Sequence, residues 1–220
     1  MTQFEHLQAH IRTEWPDARL YRCQRETLEA LTCTPEVGVT AGNQLGKDWL
    51  AGLVATCFFR WPWLFFPVEH FQRVEARRKP GQPSWQVHTR RIVTTSVNER
   101  HLKVLWGEIG RFVSTCKTPL HMNKGGPLAV NFQEIRLAEE WADKNPLNYL
   151  MGCVSEKGEG LAGHHAEYTM CIIDEASGAD DQVYTFIQGW CKRLFAFGNP
   201  HPTNNFWRRM IDGGDLVATS

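Results

Sequence analysis

VGVTAGNQLGKD, residues 37–48, decides how this chain is read. A short β-branched run (Val37, Val39, Thr40) enters Ala41-Gly42-Asn43-Gln44-Leu45-Gly46-Lys47-Asp48, and a Leu- and Ala-rich apolar segment follows over residues 49–59. Strand, glycine-bearing loop and helix in that order form a phosphate cradle. Loop N–H groups and the helix N-terminus face an anion, and a lysine reaches the outer phosphates. Against G-x-x-x-x-G-K-[ST] two positions depart. Ala41 stands at the first glycine, and Asp48 replaces the hydroxyl that normally meets magnesium. The plainer alternative is an ordinary strand-to-helix turn with a solvated lysine.

YTMCIIDE, residues 168–175, complements the loop: a buried-strand run closes on Asp174 and Glu175. Magnesium-assisted phosphoryl chemistry needs one carboxylate on the hydrated metal and a second that orients and deprotonates the attacking water. Two acids after a strand are by themselves a solvated turn. A phosphate loop upstream and this pair downstream, each at a strand end, together specify a nucleotide site.

The strands alternate with helical segments. RIVTT at 91–95, a strand at 149–154, the acidic strand and a further one at 194–197 ending in Gly198-Asn199-Pro200 join the first, with short strands at 128–132 and 134–137. That alternation predicts an α/β fold with a mainly parallel sheet and helices on both faces, and places the ligand at the C-terminal strand ends. Ser96 and Glu99 read as an S-x-x-E box opening the helix with Leu102, Leu105, Trp106 and Ile109. Residues 4–12 suggest a short leading helix and 21–31 a better one, ended by Thr34-Pro35. Gln24 lies on the second, either as a solvated helix glutamine or as an adenine contact. Residues 71–83, basic and then Pro/Gly-rich, read as an exposed loop, and His164-His165 as a surface turn, two neighbouring side chains pointing to opposite faces.

The length of 220 residues suits one domain, residues 1–20 forming a leading segment. Twenty-four basic residues balance 24 acidic ones, so any nucleic-acid contact is local. Seven cysteines without a C-x-x-C pair fit reduced, buried thiols rather than zinc. WLAGLVATCFFRWPWLFFP at 49–67 is stopped by Arg60 and Pro62, too short to span a bilayer, and no signal peptide opens the chain.

With these stations in order, the chain resembles the ATPase domain of the large terminase subunit, the DNA-packaging motor of tailed bacteriophages. AGNQLGKD (41–48) looks like its phosphate loop, GEGLAGHHAEYTMCIIDEASGADDQVY (158–184) like the block around its acidic motif, and FAFGNPHPTNNFW (195–207) like its coupling motif. The match runs from about residue 21 to residue 207. The resemblance implies a P-loop NTPase fold of the additional-strand, catalytic-glutamate type, with ATP and Mg2+ bound. It puts residues 41–48 around the phosphates with Lys47 on the β/γ-phosphates, Asp174 on magnesium through water, Glu175 as catalytic base, Asn199 as γ-phosphate sensor and Gln24 at an adenine contact. Asp48, at the usual hydroxyl position, is the second metal-ligand candidate. Many members carry an arginine in the phosphate loop where this chain has Asn43, Gln44 and Leu45.

The resemblance also implies double-stranded DNA, the procapsid portal and a small terminase subunit as partners. It implies a homo-oligomeric ring built from a monomeric chain, the host cell cytoplasm as setting, and a nuclease domain that these residues do not contain. Two rivals remain: a DExx-type helicase or translocase domain, suggested by Asp174-Glu175-Ala176-Ser177, and a degenerate non-catalytic nucleotide- or DNA-binding module, suggested by Ala41 and Asp48.

Overall fold

The computed structural model describes residues 1–40, 46–154, 159–199 and 204–213. In chain order these form helices α1 (Gln3–Glu14) and α2 (Arg22–Cys33), strand β1 (Glu36–Thr40), helices α3 (Lys47–Arg60), α4 (Val68–Glu75) and α5 (Ser84–Val87), then β2 (Arg90–Ser96) and α6 (Glu99–Thr115). The hairpin β3 (Leu128–Asn131) and β4 (Glu134–Leu137) follows, then β5 (Tyr149–Val154), β6 (Tyr168–Asp174), α7 (Asp181–Gln188), β7 (Arg193–Gly198) and α8 (Phe206–Asp212).

The strands make one seven-stranded sheet in the order β1-β7-β6-β2-β5-β4-β3. The first five in that order are mutually parallel. Strands β4 and β3 add antiparallel, because two residues, Phe132 and Gln133, suffice to return the chain, whereas a parallel return needs a crossover. Gln133 takes φ 53 in that turn. Strand β7 is inserted between β1 and β6, the feature that defines the additional-strand type. The mainly parallel α/β class expected from the alternating pattern is therefore observed.

Every residue of β6 and β7 is buried, as two-sided cover requires. The period of two along a strand sorts their side chains. Met170, Ile172, Phe195 and Phe197 enter one core with α3 and α6, whereas Cys171, Ile173, Leu194 and Ala196 enter a second with α7 and α8. Helix α3 is buried at every position from Leu50 to Phe59 and stops at Arg60, before the turn opened by Pro62. Among the described residues no helix is long and apolar enough to cross a membrane. Helix α3 lies tightly on α6: a Cβ added at Gly52 would stand 2.8 Å from Glu108 Cβ and 2.9 Å from its backbone carbon. The leading segment is no appendage, since Leu7, Ile11 and Trp15 join the first core and the Trp15 indole donates to the Phe112 carbonyl at 2.9 Å.

Three local expectations are corrected. Ser96 does not cap α6, because it is the last residue of β2, in register with Asp174; Asn98 caps instead, its side chain accepting from the His101 N–H at 3.0 Å. Residues 71–75 continue α4 rather than forming loop, because Phe71 stacks on His88 and Val74 is buried; Gln72, Arg73 and most of the Pro/Gly-rich remainder are exposed. His164 is buried, joined to the Tyr149 hydroxyl at 2.6 Å and edge-on to Trp190, while His165 faces solvent.

Candidate active site

Parallel pairing aligns the strand ends that matter. Thr40 lies in register with Gly198, Phe197 with Asp174, and Asp174 with Ser96. The last residue of β1, the acidic end of β6 and the residue before Asn199 therefore share one edge of the sheet. Lys47 reaches that edge as the first residue of α3, whose N-cap Gly46 sits in the left-handed region at φ 70. Glu175, immediately after β6, is also left-handed at φ 53, a costly conformation for a residue with a Cβ. This turn swings the Glu175 carboxylate out of the strand line. One oxygen pairs with the Lys47 ammonium, and the other accepts from the Asn199 side-chain amide at 3.4 Å.

Asp174 faces a different environment. Its side chain is fully buried, and its Oδ2 has the Ser96 hydroxyl at 3.5 Å. Its Oδ1 has no hydrogen-bond partner among the described residues. Burial, reinforced by the charge of Asp48 and opposed by Lys47, pushes its pKa up to about 7. Burial also raises the pKa of Asp48, with Lys47 opposing and Glu175 adding to the effect. His101 Nδ1, on the first turn of α6, stands 3.9 Å from both Asp174 Oδ2 and Glu175 Oε1. Among the described residues no group of three or more His, Cys, Asp or Glu is arranged to hold a metal. Asp174 and Asp48, carboxylates with raised pKa values and one orphaned oxygen, are the residues that would hold a magnesium ion, whose charge would oppose the penalty on both.

Of the residues expected at the site, Lys47, Glu175 and Asn199 are in direct contact, and Asp174 and Asp48 adjoin them electrostatically. Ala41, Gly42, Asn43, Gln44 and Leu45 lie outside the described residues. Gln24 is buried, so the solvated alternative fails. Its Oε1 accepts from the Tyr21 N–H at 3.1 Å, and its Nε2 would stand 3.1 Å from a Cβ at Gly46, against the start of α3. Arg111 and Arg136 are paired within the chain, to Glu108 at 2.8 Å and to Glu134 at 2.6 Å.

Three further residues belong to this neighbourhood. Ser96, read from the sequence as a helix cap, ends β2 beside Asp174 instead. His101 carries no local signal. Asn205 caps α8, and its amide donates to the Ala179 carbonyl at 2.8 Å, with the carbonyls of Ser177 and Ala176 at 3.3 and 3.4 Å. Helix α8 is thereby tied to the loop that follows the two acids.

A mainly parallel sheet with one strand between the lysine-bearing and acidic stations defines a P-loop NTPase-like α/β fold. Among solved structures, the chain is similar to the large terminase of bacteriophage HK97, with a TM-score of 0.62 and 14% identity over 99% of this chain and 43% of that one. It is also similar to the large terminase ATPase domain of Thermus phage P74-26 (TM-score 0.55, 14% identity, 86% of this chain and 69% of that one). A third similarity is to the large terminase of a thermophilic bacteriophage in complex with ADP (TM-score 0.50, 10% identity, 91% of this chain and 45% of that one). The chain thus has the fold of phage large-terminase ATPase domains and spans less than half of the HK97 terminase chain and of the ADP-bound one. No protein-family description and no curated protein matches the chain.

Proposed function

We propose that this chain is an ATP-hydrolysing motor domain that drives double-stranded DNA into a viral procapsid. The observation that carries the reading is the meeting of Lys47, Glu175 and Asn199 beside buried Asp174, at the C-terminal edge of a sheet with the large-terminase ATPase fold. Lys47 binds the outer phosphates, and on nucleotide entry exchanges its Glu175 partner for them. Glu175, released from the lysine, accepts a proton from the attacking water at its carboxylate oxygen. Asn199, already bonded to that carboxylate, positions it and senses whether the γ-phosphate is present. Asp174, with Asp48 beside it, would hold magnesium, which would neutralise charge building on the phosphate oxygens.

The remaining elements of the reading follow from the same resemblance. The P74-26 and HK97 proteins are large terminases, so the proposed partners are DNA, the procapsid portal and a small terminase subunit, in the cytoplasm of an infected host cell. Of the arginines that could serve as a finger, Arg111 and Arg136 are held by neighbouring acids and Arg100 is exposed on α6; as the resemblance implies, the finger comes from the next copy in a ring. Turnover by the monomeric chain is then slow and rises with concentration.

The test is Glu175→Gln. The amide keeps the shape but accepts no proton, so phosphate release falls by about 10²–10⁴-fold, while nucleotide binding, read by titration with a fluorescent ATP analogue, persists. Turnover close to the parent's moves the base elsewhere and defeats the assignment.

A further inference from the structure

The opposite pole of the sheet holds a second pocket. Strand β2 runs from Arg90 to Ser96, so its first residue lies about 20 Å from the acidic edge. Arg90 lines a cavity of about 410 Å³ whose walls include Trp61, Trp63, Trp85 and His10, with exposed Glu139 among its lining residues.

The state of Arg90 sets this pocket apart. Its residue is 8% exposed, yet its guanidinium has no hydrogen bond and no ion pair among the described residues, and Nε is buried without an acceptor. The guanidinium lies over the ring of Phe59, 5.3 Å away. Burial lowers its pKa to about 10, against the pull of Glu140 and Glu139, so it remains a cation at neutral pH. The other buried arginine, Arg193, is satisfied: its Nε donates to the Phe65 carbonyl at 2.6 Å and a terminal nitrogen to the Lys192 carbonyl at 3.0 Å. Arg60, also on the pocket wall, is paired with Glu14 at 3.3 Å. Glu140 directs its oxygens to the N–H groups of Leu147 and Asn148 and to the Asn148 amide. A buried guanidinium without an acceptor is expensive, and its five donors in a planar fork match a carboxylate.

We infer that this pocket binds a carboxylate carried on an aromatic or apolar body, with Arg90 taking the carboxylate and the tryptophan walls taking the body. The walls supply stacking area, since Trp63, Trp85 and His10 are half-buried and His10 stacks on Trp61 with ring centres 4.4 Å apart. Glu139 disfavours a dianion, so a single negative charge fits better than a phosphate.

Calorimetric titration of the chain with phenylacetate, phenylacetamide and phenylphosphonate tests the assignment. The expected result is saturable phenylacetate binding below about 1 mM, with the neutral amide and the dianionic phosphonate each at least tenfold weaker. Arg90→Met should weaken phenylacetate at least tenfold yet melt no lower than the parent, because it removes an uncompensated buried charge. A purely structural arginine would do the reverse. Trp85→Ala, on the one-turn α5, should weaken phenylacetate with the fold intact, and it decides the matter if Arg90→Met fails to fold. Equal binding of acid and amide overturns the inference, as does absence of saturation by 10 mM or parental affinity in either variant. Preference for the phosphonate overturns the carboxylate assignment.

Discussion

Of the buried carboxylates among the described residues, Glu14 and Asp174 end in opposite states. Glu14, at the end of α1, is 9% exposed, and Asp174, at the end of β6, is fully buried. Burial alone would raise both pKa values. At Glu14 that effect is outweighed by donors: the Cys116 thiol at 3.1 Å, the Thr118 N–H at 3.0 Å, the Thr118 hydroxyl at 3.1 Å and Arg60 at 3.3 Å. They hold it at about 2. Among the described residues Asp174 Oδ2 has one distant hydroxyl and Oδ1 no partner, so burial outweighs the Glu175 N–H and Lys47 and its pKa rises to about 7. A carboxylate whose partners come from its own fold is a joint; one left without partners among the described residues is the one the proposed function assigns to a ligand. The contrast separates structure from function without reference to any motif.

The strongest way to break this comparison is Glu14→Ala. It strands Arg60 and the Thr118 N–H and should cost about 3 kcal/mol, lowering the melting temperature by roughly 6–12 °C in a thermal scan. A loss under about 1 kcal/mol would reduce Glu14 to an ordinary surface pair. Asp174→Asn should act oppositely on the nucleotide-free chain, raising stability at pH 8 by about 1–2 kcal/mol while removing magnesium-dependent phosphate release. A variant that loses stability shows that Asp174 is built into the fold like Glu14.

The pH dependence carries the same contrast. Glu14, lowered from 4.5 to about 2, contributes stability that is present above its unfolded pKa and lost as pH falls from about 4.5 towards 2. Asp174, raised from 3.8 to about 7, binds its proton better when folded, so its contribution is complete below its unfolded pKa and lost as pH rises through about 7. Denaturant midpoints measured across pH should therefore be highest near about pH 4, falling below it as Glu14 is protonated and falling above it up to about pH 7, where the Asp174 contribution is exhausted. Asp174→Asn should flatten the upper slope alone, and an unchanged upper slope would contradict the assignment. The smallest effect is expected at Asp48→Thr, which restores the usual hydroxyl. Turnover should hold or rise by no more than about tenfold, the equivalent of about 1.4 kcal/mol in barrier height. Complete loss would give the aspartate a required role of its own.

What could be read from the sequence follows the range of the interactions. The strand runs, the buried α3 and the acid pair are local patterns, and local chemistry specifies them. Lys47 and Glu175 are 128 positions apart, yet each ends or begins a recognisable element, so their meeting followed from the rule that parallel-sheet sites collect at strand ends. Glu14 escaped notice because Cys116 and Thr118 lie more than 100 positions away, after α6, and Arg60 lies 46 positions away on α3. Arg90 escaped for a related reason, since an unpaired cation is visible only once all possible partners are placed. Ser96 misled because S-x-x-E describes equally a cap and a strand end followed by an acid. Asn98, two residues later, was the better capper.

The seat of α3 on α6 at Gly52 has a mechanical consequence. Backbone rests against backbone there, with no compliant side chain between the helices, so the pair behaves as one stiff beam. One end carries Lys47 and His101 beside the acids; the far end of α6 runs into Cys116 and Thr118, which grip Glu14. A push delivered to the lysine is thereby conveyed along the beam to the α1 joint with little lost to bending, and a methyl group at position 52 would act as a wedge that splits it.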